Sequence, residues 1–180
     1  MEASMFNKII AALDRSEMGQ SVFEQSLALA KLTSANLMLL HVLSPEEEGS
    51  PDLMIAPNID YYPGWNEQSF KLYQQHWDTF KNESLQMLQS LCAQANTAGI
   101  NAEFTQNTGN PGRMICQLAT AWNADLIIMG RRGRSGLTEL VLGSVSNYVL
   151  HHAPCSVHII HFPTSIKPID VKPEITSVTR

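Results

Sequence analysis

Residues 125–146 read DLIIMGRRGRSGLTELVLGSVS, and the fold turns on how that stretch divides. Asp125 to Met129 is a short apolar run without alternation, the pattern of a strand covered on both faces. Gly130 to Leu142 interrupts it with Gly130, Gly133 and Gly136 and with Arg131, Arg132 and Arg134. Gly143 to His152 then reads as a short helix, which Ala153-Pro154 closes. The unit is a strand, a glycine- and arginine-rich loop, and a helix start.

Upstream, Phe6 to Leu13 (FNKIIAAL) is an apolar run that stops at Asp14-Arg15-Ser16. Val22, Phe23, Leu27 and Ala30 space a helix over Glu17 to Leu32, with Ser16 or Asp14 as its cap. Ala35 to Leu43 (ANLMLLHVL) is a second strand. Ser44 to Gly64 holds four prolines, two glycines and an acidic run, so an irregular insertion is expected over about 44–69. From Phe70 the stripe Phe70, Tyr73, Trp77, Phe80, Leu88, Leu91 and Ala95 predicts a helix ending at Gly99. Ser84 stands where the stripe wants an apolar residue, and Leu85 is expected to fill the gap. Asn101 to Gln106 suggests a third strand near an edge. After the turn Gly109-Asn110-Pro111-Gly112, Arg113 to Trp122 predicts a helix. Val157 to His161 completes the set as a fifth strand.

Strands alternating with helices indicate an α/β fold. The expected architecture is a single-domain, open, five-stranded parallel sheet in the order 3-2-1-4-5, Rossmann-like, with helices on both faces. It would span 1–162, followed by an extended C-terminal tail over 163–180. In that order the first and fourth strands are neighbours whose connections leave for opposite faces. The crevice so formed, at their C-terminal ends, is where open α/β sheets bind ligands.

Composition narrows the function. The chain has 180 residues, 44% apolar and 16% charged, with a net charge of −5. That length suits one domain with an adequate core. An acidic chain without a basic face argues against nucleic-acid binding. No apolar run reaches the roughly 20 residues that span a bilayer. The acidic start Met1-Glu2 has no signal-peptide pattern, so a cytoplasmic location and no membrane partner are expected. Three widely spaced cysteines, Cys92, Cys116 and Cys155, fit free thiols better than disulfides or a zinc site. His151 and His152 are adjacent on a helix, and His158 and His161 fall on opposite strand faces, so no histidine metal site is expected.

The chemistry concentrates in the loop after Met129. Gly130 and Gly133 admit positive φ and close approach of a ligand to the main chain. Gly143 and Ser144 open a helix with unpaired N–H groups, a positive dipole end and a hydroxyl. Three of the six arginines, Arg131, Arg132 and Arg134, sit nearby and suit phosphate oxygens. A solvated loop with the same glycines is the plainer alternative. No P-loop, no Gly-x-Gly-x-x-Gly fingerprint and no Gly-x-Ser-x-Gly elbow occurs.

The spacing Gly130-x2-Gly133-x9-Gly143-Ser144 resembles the nucleotide-binding signature of the universal stress protein family. The resemblance extends to the strand ending in Asp14, to Leu40-His41-Val42, Gly109-Asn110-Pro111, the run from Asp125 to Gly130, and Pro154-Cys155-Ser156-Val157. It leaves out the insertion and the tail. It implies a parallel α/β fold, commonly dimeric, and in members with this signature the binding of ATP or a related adenine nucleotide. Carried over, Asp14 and Val42 would contact adenine, Val42 through its backbone. Gly130 would lie by the ribose, and Gly133, Gly143, Ser144, Val145 and Ser146 would surround the phosphates. Ala12 stands where several members have proline; with Met129 it borders the expected pocket. Arg131 and Arg132 would be phosphate partners without a fixed family role.

The expected function is that of a nucleotide-responsive stress or signalling module holding ATP, with Mg²⁺ arriving on the phosphates. Three alternatives stand beside it: slow ATP hydrolysis, a nucleotide-independent dimeric interaction module, and a binder of AMP, cyclic nucleotides or cyclic dinucleotides. A homodimer through the last strand is expected because an apolar edge strand tends to pair with a second copy. Tyr61, Tyr62, Trp65, Tyr73 and Trp77 suggest packing of the insertion on the domain, or alternatively a lid or partner surface.

Overall fold

Five strands, β1 (Lys8–Leu13), β2 (Asn36–Leu43), β3 (Ala102–Thr108), β4 (Leu126–Gly130) and β5 (Ser156–Ile160), form one sheet in the order β3-β2-β1-β4-β5. Every pairing is parallel. The helices are α1 (Glu17–Thr33), α2 (Glu67–Thr97), α3 (Pro111–Trp122) and α4 (Ser144–His152). The computed structural model describes residues 5–47, 49–51, 67–131 and 142–161, with 67–69 described by their backbone alone.

Successive strand residues point to opposite faces, and here both faces are apolar. Ile9, Ala11, Leu37, Leu39 and Ile128 pack with Val22 and Phe23 of α1 and with Leu88 and Leu91 of α2. Ile10, Met38, Leu40, Ile127 and Met129 pack with Ile115 and Ala119 of α3 and with Val149 of α4. This is why the strand sequences run apolar without alternating. Asp125 fixes the start of β4 against β1: its carboxylate accepts from the main-chain N–H of Asn7 at 2.8 Å and of Lys8 at 2.9 Å.

The helix ends follow from local chemistry. Ser16 caps α1, its Oγ accepting from Gly19 N–H at 3.3 Å. Asn110 caps α3 through Arg113 N–H at 3.1 Å, and Pro111 fills the first helical position. Thus α3 starts two residues ahead of the apolar pattern. Likewise α2 begins at Glu67, three residues before Phe70, because a polar first turn carries no periodicity. Ser84, not Leu85, takes the buried stripe position; its Oγ donates to Phe80 C=O at 2.7 Å and so loses no hydrogen bond.

At 31 residues, α2 is about 46 Å long, against roughly 26 Å for the eight residues of β2. Among its described residues the buried side chains, Phe80, Ser84, Leu88, Leu91, Cys92 and Ala95, lie from Phe80 onward. Ahead of them Tyr73 meets Trp77 edge-on at 6.3 Å, and Trp77 meets Phe80 at 5.8 Å. Tyr61, Tyr62 and Trp65 lie outside the described residues, as does the tail. No described helix is long and apolar enough to cross a membrane. Cys92 and Cys116 are buried free thiols and Cys155 is half-buried; burial pushes all three thiols up.

Candidate functional site

The crevice begins where β1 and β4 stop. Ala12 and Met129 are the last pair in the β1–β4 register. Beyond them β1 runs through Leu13 and Asp14 into α1, which packs on one face. Beyond Gly130 and Arg131 the chain reaches α4, which packs on the other. The two connections diverge, so the C-terminal ends of β1 and β4 form the topological switch point.

Asp14 is half-buried at one side of this crevice. Its Oδ1 accepts from Ser16 N–H at 3.1 Å and from Ser16 Oγ. Ser16 is the cap of α1, and Asp14 orients the cap. Behind this turn sits Gly19, which sequence reasoning passed over. A Cβ on Gly19 would lie 2.1 Å from the Asp14 carbonyl oxygen and 2.9 Å from Asp14 Oδ1. The first turn of α1 therefore lies directly against the Asp14 turn. A glycine at the third position of a helix, against helical propensity, was the available signal.

Gly130 also has a packing role. A Cβ there would stand 2.3 Å from Met18 Cγ and 3.0 Å from Met18 Sδ. What approaches the missing side chain is α1, not open crevice. Gly130→Ala is expected to cost about 1–3 kcal/mol of stability through overpacking. Urea denaturation would measure it, and adding Met18→Ala should recover part of the loss.

Gly143 caps α4 with φ −57° and ψ 153° and no side-chain hydrogen bond. The first hydrogen bond of the helix runs from Asn147 N–H to Gly143 C=O at 2.9 Å. The N–H groups of Ser144, Val145 and Ser146 precede it and have no acceptor within the helix. Ser144 is exposed and Val145 half-buried. Ser146 is buried, and its Oγ donates to Gly130 C=O at 3.2 Å. With its single proton committed there, the Ser146 hydroxyl ties α4 to the end of β4 and leaves its backbone N–H for a ligand.

Arg131 is half-buried. Its N–H donates to Ile160 C=O at 2.9 Å, while its buried Nε has no partner among the described residues. Arg132, Gly133 and Arg134 lie outside the described residues. Val42 is buried on β2, paired with Asn107 of β3, and is the first β2 residue past the β1 register, which ends at Leu13–His41.

Two further contacts stand close by, His41 with Glu47 and Arg15 with Glu83 and Phe80. His41 is fully buried, and its Nε2 lies 2.8 Å from Glu47 Oε1. On the α2 side, Arg15 bonds Glu83 at 2.6 Å and lies over the Phe80 ring at 5.0 Å. Arg15, Phe80 and Glu83 line a groove of about 230 Å³ with Gly49, Pro51, His76 and Thr79. The crevice proper has a carboxylate at one side and the positive end of α4 at the other. It suits a ligand with hydrogen-bond donors at one end and negative oxygens at the other.

Such a scaffold defines a doubly wound α/β protein with one parallel sheet and a switch-point crevice between its first and fourth strands. The family model described as "Universal stress protein family" matches residues 5–161, and the chain belongs to that family. It is 38% identical over 155 residues to the universal stress protein Sll1388 of Synechocystis, covering 86% of this chain and 97% of that one. It is 32% identical to YxiE of Bacillus subtilis, covering 87% and 99%. Among solved structures, UspA of Lactobacillus plantarum superposes with a TM-score of 0.66 at 22% identity, over 87% of this chain and 98% of that one. An Archaeoglobus fulgidus universal stress protein in complex with dAMP gives 0.57 at 19%, over 87% and 99%. An Arabidopsis thaliana family member with AMP bound gives 0.55 at 21%, over 91% and 97%.

Proposed function

We propose that this protein binds an adenine nucleotide at the switch point and acts as a nucleotide-responsive stress or signalling protein. The observation that carries this reading is the start of α4. It opens on the crevice with a glycine in the capping position, so its cap residue has no side chain to take up the first-turn amides. Asp14 across the crevice supplies the acceptor that an amine or a ribose hydroxyl needs. The base would lie toward Ala12, Asp14, the Val42 backbone and Met129. Gly130 would lie by the ribose, and the phosphates would lie on the amides of Ser144, Val145 and Ser146, with Arg131, Arg132, Gly133 and Gly143 around them. The dAMP and AMP complexes of family members support an adenine nucleotide. The proposed physiological ligand is ATP, with Mg²⁺ carried on its phosphates.

The test is direct. Protein purified under native conditions is denatured and its released small molecules are identified by mass spectrometry. Calorimetric titrations follow with ATP, AMP and inorganic tripolyphosphate. Saturable binding of ATP, with tripolyphosphate competing for the same site, is expected. Absence of adenine-nucleotide binding at millimolar concentration would remove the reading.

We further propose a homodimer through β5. That strand ends the sheet, with Ser156 and His158 exposed and Val157 and Ile159 half-buried. Light scattering is expected to give about twice the 20.0 kDa chain mass, and a monomer mass across micromolar concentrations would exclude the pairing.

A further inference from the structure

We propose that Glu47 is a positioning residue that straps together the two chain segments on the base side of the crevice. The inference rests on the nucleotide-binding reading above. Arg15 directly follows Asp14, and His41 directly precedes Val42. One segment follows the end of β1 and the other lies in β2, and one buried oxygen joins them. Glu47 Oε1 faces His41 Nε2 at 2.8 Å and accepts from Arg15 N–H at 3.4 Å. The His41 side chain is 0% exposed and that of Glu47 is 5% exposed.

Burying a carboxylate this deeply costs several kcal/mol of hydration, which only well-placed partners offset. A nonpolar residue would fill the space without that cost, so the core alone does not explain Glu47. The turn that carries it is itself fixed. Glu47 N–H donates to Ser44 C=O at 3.1 Å, Ser50 N–H donates to Glu47 C=O at 3.1 Å, and Ser50 Oγ donates to Pro45 C=O at 2.8 Å. Phe80 closes the circuit, with its ring 6.5 Å from His41 on one side and under the Arg15 guanidinium on the other. The beginning of the insertion thereby sets the spacing between Asp14 and Val42, without touching the phosphate side.

That asymmetry gives the experiment. ATP and inorganic tripolyphosphate are titrated into the wild type, Glu47→Ala, Glu47→Gln, Asp14→Asn and the Glu47→Ala/Asp14→Asn double variant. Exchange of the Arg15 amide is followed by NMR in ligand-free protein. Glu47→Ala is expected to weaken ATP about tenfold, the loss of roughly one charge-assisted hydrogen bond's worth of placement, and to leave tripolyphosphate within about twofold. Glu47→Gln keeps an acceptor at Oε1 and should stay within about threefold of the wild type for ATP. In the Asp14→Asn background the effect of Glu47→Ala should shrink, because the two act on one contact. The Arg15 amide should exchange faster in Glu47→Ala. Should that variant not fold, Glu47→Asp, which shortens the reach by one methylene, undergoes the same comparison.

Equal losses for ATP and tripolyphosphate, additive losses in the double variant, or unchanged Arg15 exchange would overturn the strap while leaving nucleotide binding intact. A wild type that binds no adenine nucleotide would overturn both proposals.

Discussion

Gly143→Asp is expected to raise thermal stability slightly and to remove nucleotide binding. The backbone at Gly143, with φ −57°, is open to any residue, so glycine is not required there for conformational reasons. An aspartate would accept from the first-turn amides that Gly143 leaves unpaired and would complement the helix dipole. Replacing glycine by a good cap, with the dipole term added, is worth up to about 1 kcal/mol. In a domain of this size that corresponds to a rise of about 2–4 °C in Tm. The same carboxylate would occupy the phosphate position and repel its charge. Losing two or more charge-assisted hydrogen bonds corresponds to an affinity drop of about 100-fold or more. Gly143→Ser caps without charge and should fall between. Differential scanning calorimetry and nucleotide titration on the three proteins decide the matter, and an aspartate variant that still binds ATP normally would move the anion site elsewhere.

Gly19→Ala should move stability in the direction opposite to helix propensity. In an exposed helix interior, alanine is favoured over glycine by about 1 kcal/mol. Here the added Cβ would meet the Asp14 carbonyl oxygen at 2.1 Å, and a main-chain atom cannot swing aside. The first turn of α1 and the end of β1 must separate, with an expected loss of about 1–3 kcal/mol in urea denaturation. Because the displaced atoms belong to Asp14, nucleotide affinity should fall with stability. A stabilised Gly19→Ala protein would show that the Asp14 turn yields more readily than its packing indicates.

What the sequence made legible is what repeats. Both faces of the sheet are covered, so β1, β2 and β4 appear as uninterrupted apolar runs, and their alternation with helices leads to the observed strand order. The cap of α1 was narrowed to Ser16 or Asp14, and the break at Gly143 was visible, because capping is local chemistry. The features that were not legible depend on what lies opposite a residue in space. Nothing in the string around Gly130 indicates that Met18 fills the volume its side chain would need. Nor does Ser84, an apparent lapse in an apolar stripe, reveal that its hydroxyl can bond the helix one turn back. Glu47 stands in the acidic run Glu46-Glu47-Glu48, which suggests a solvated surface. The turn from Ser44 brings the Glu47 carboxylate to His41.

The long reach of α2 has a consequence of its own. None of the side chains of residues 70–79 is buried, whereas the buried side chains among the described residues of the helix lie from Phe80 onward. Before Phe80, among the described residues, the arm meets the core only through the aromatic steps from Tyr73 and Trp77 to Phe80 and the groove shared with Arg15. Chains built on the same sheet are free to lengthen, trim or redecorate it, and so to acquire new associations while keeping an unchanged interior.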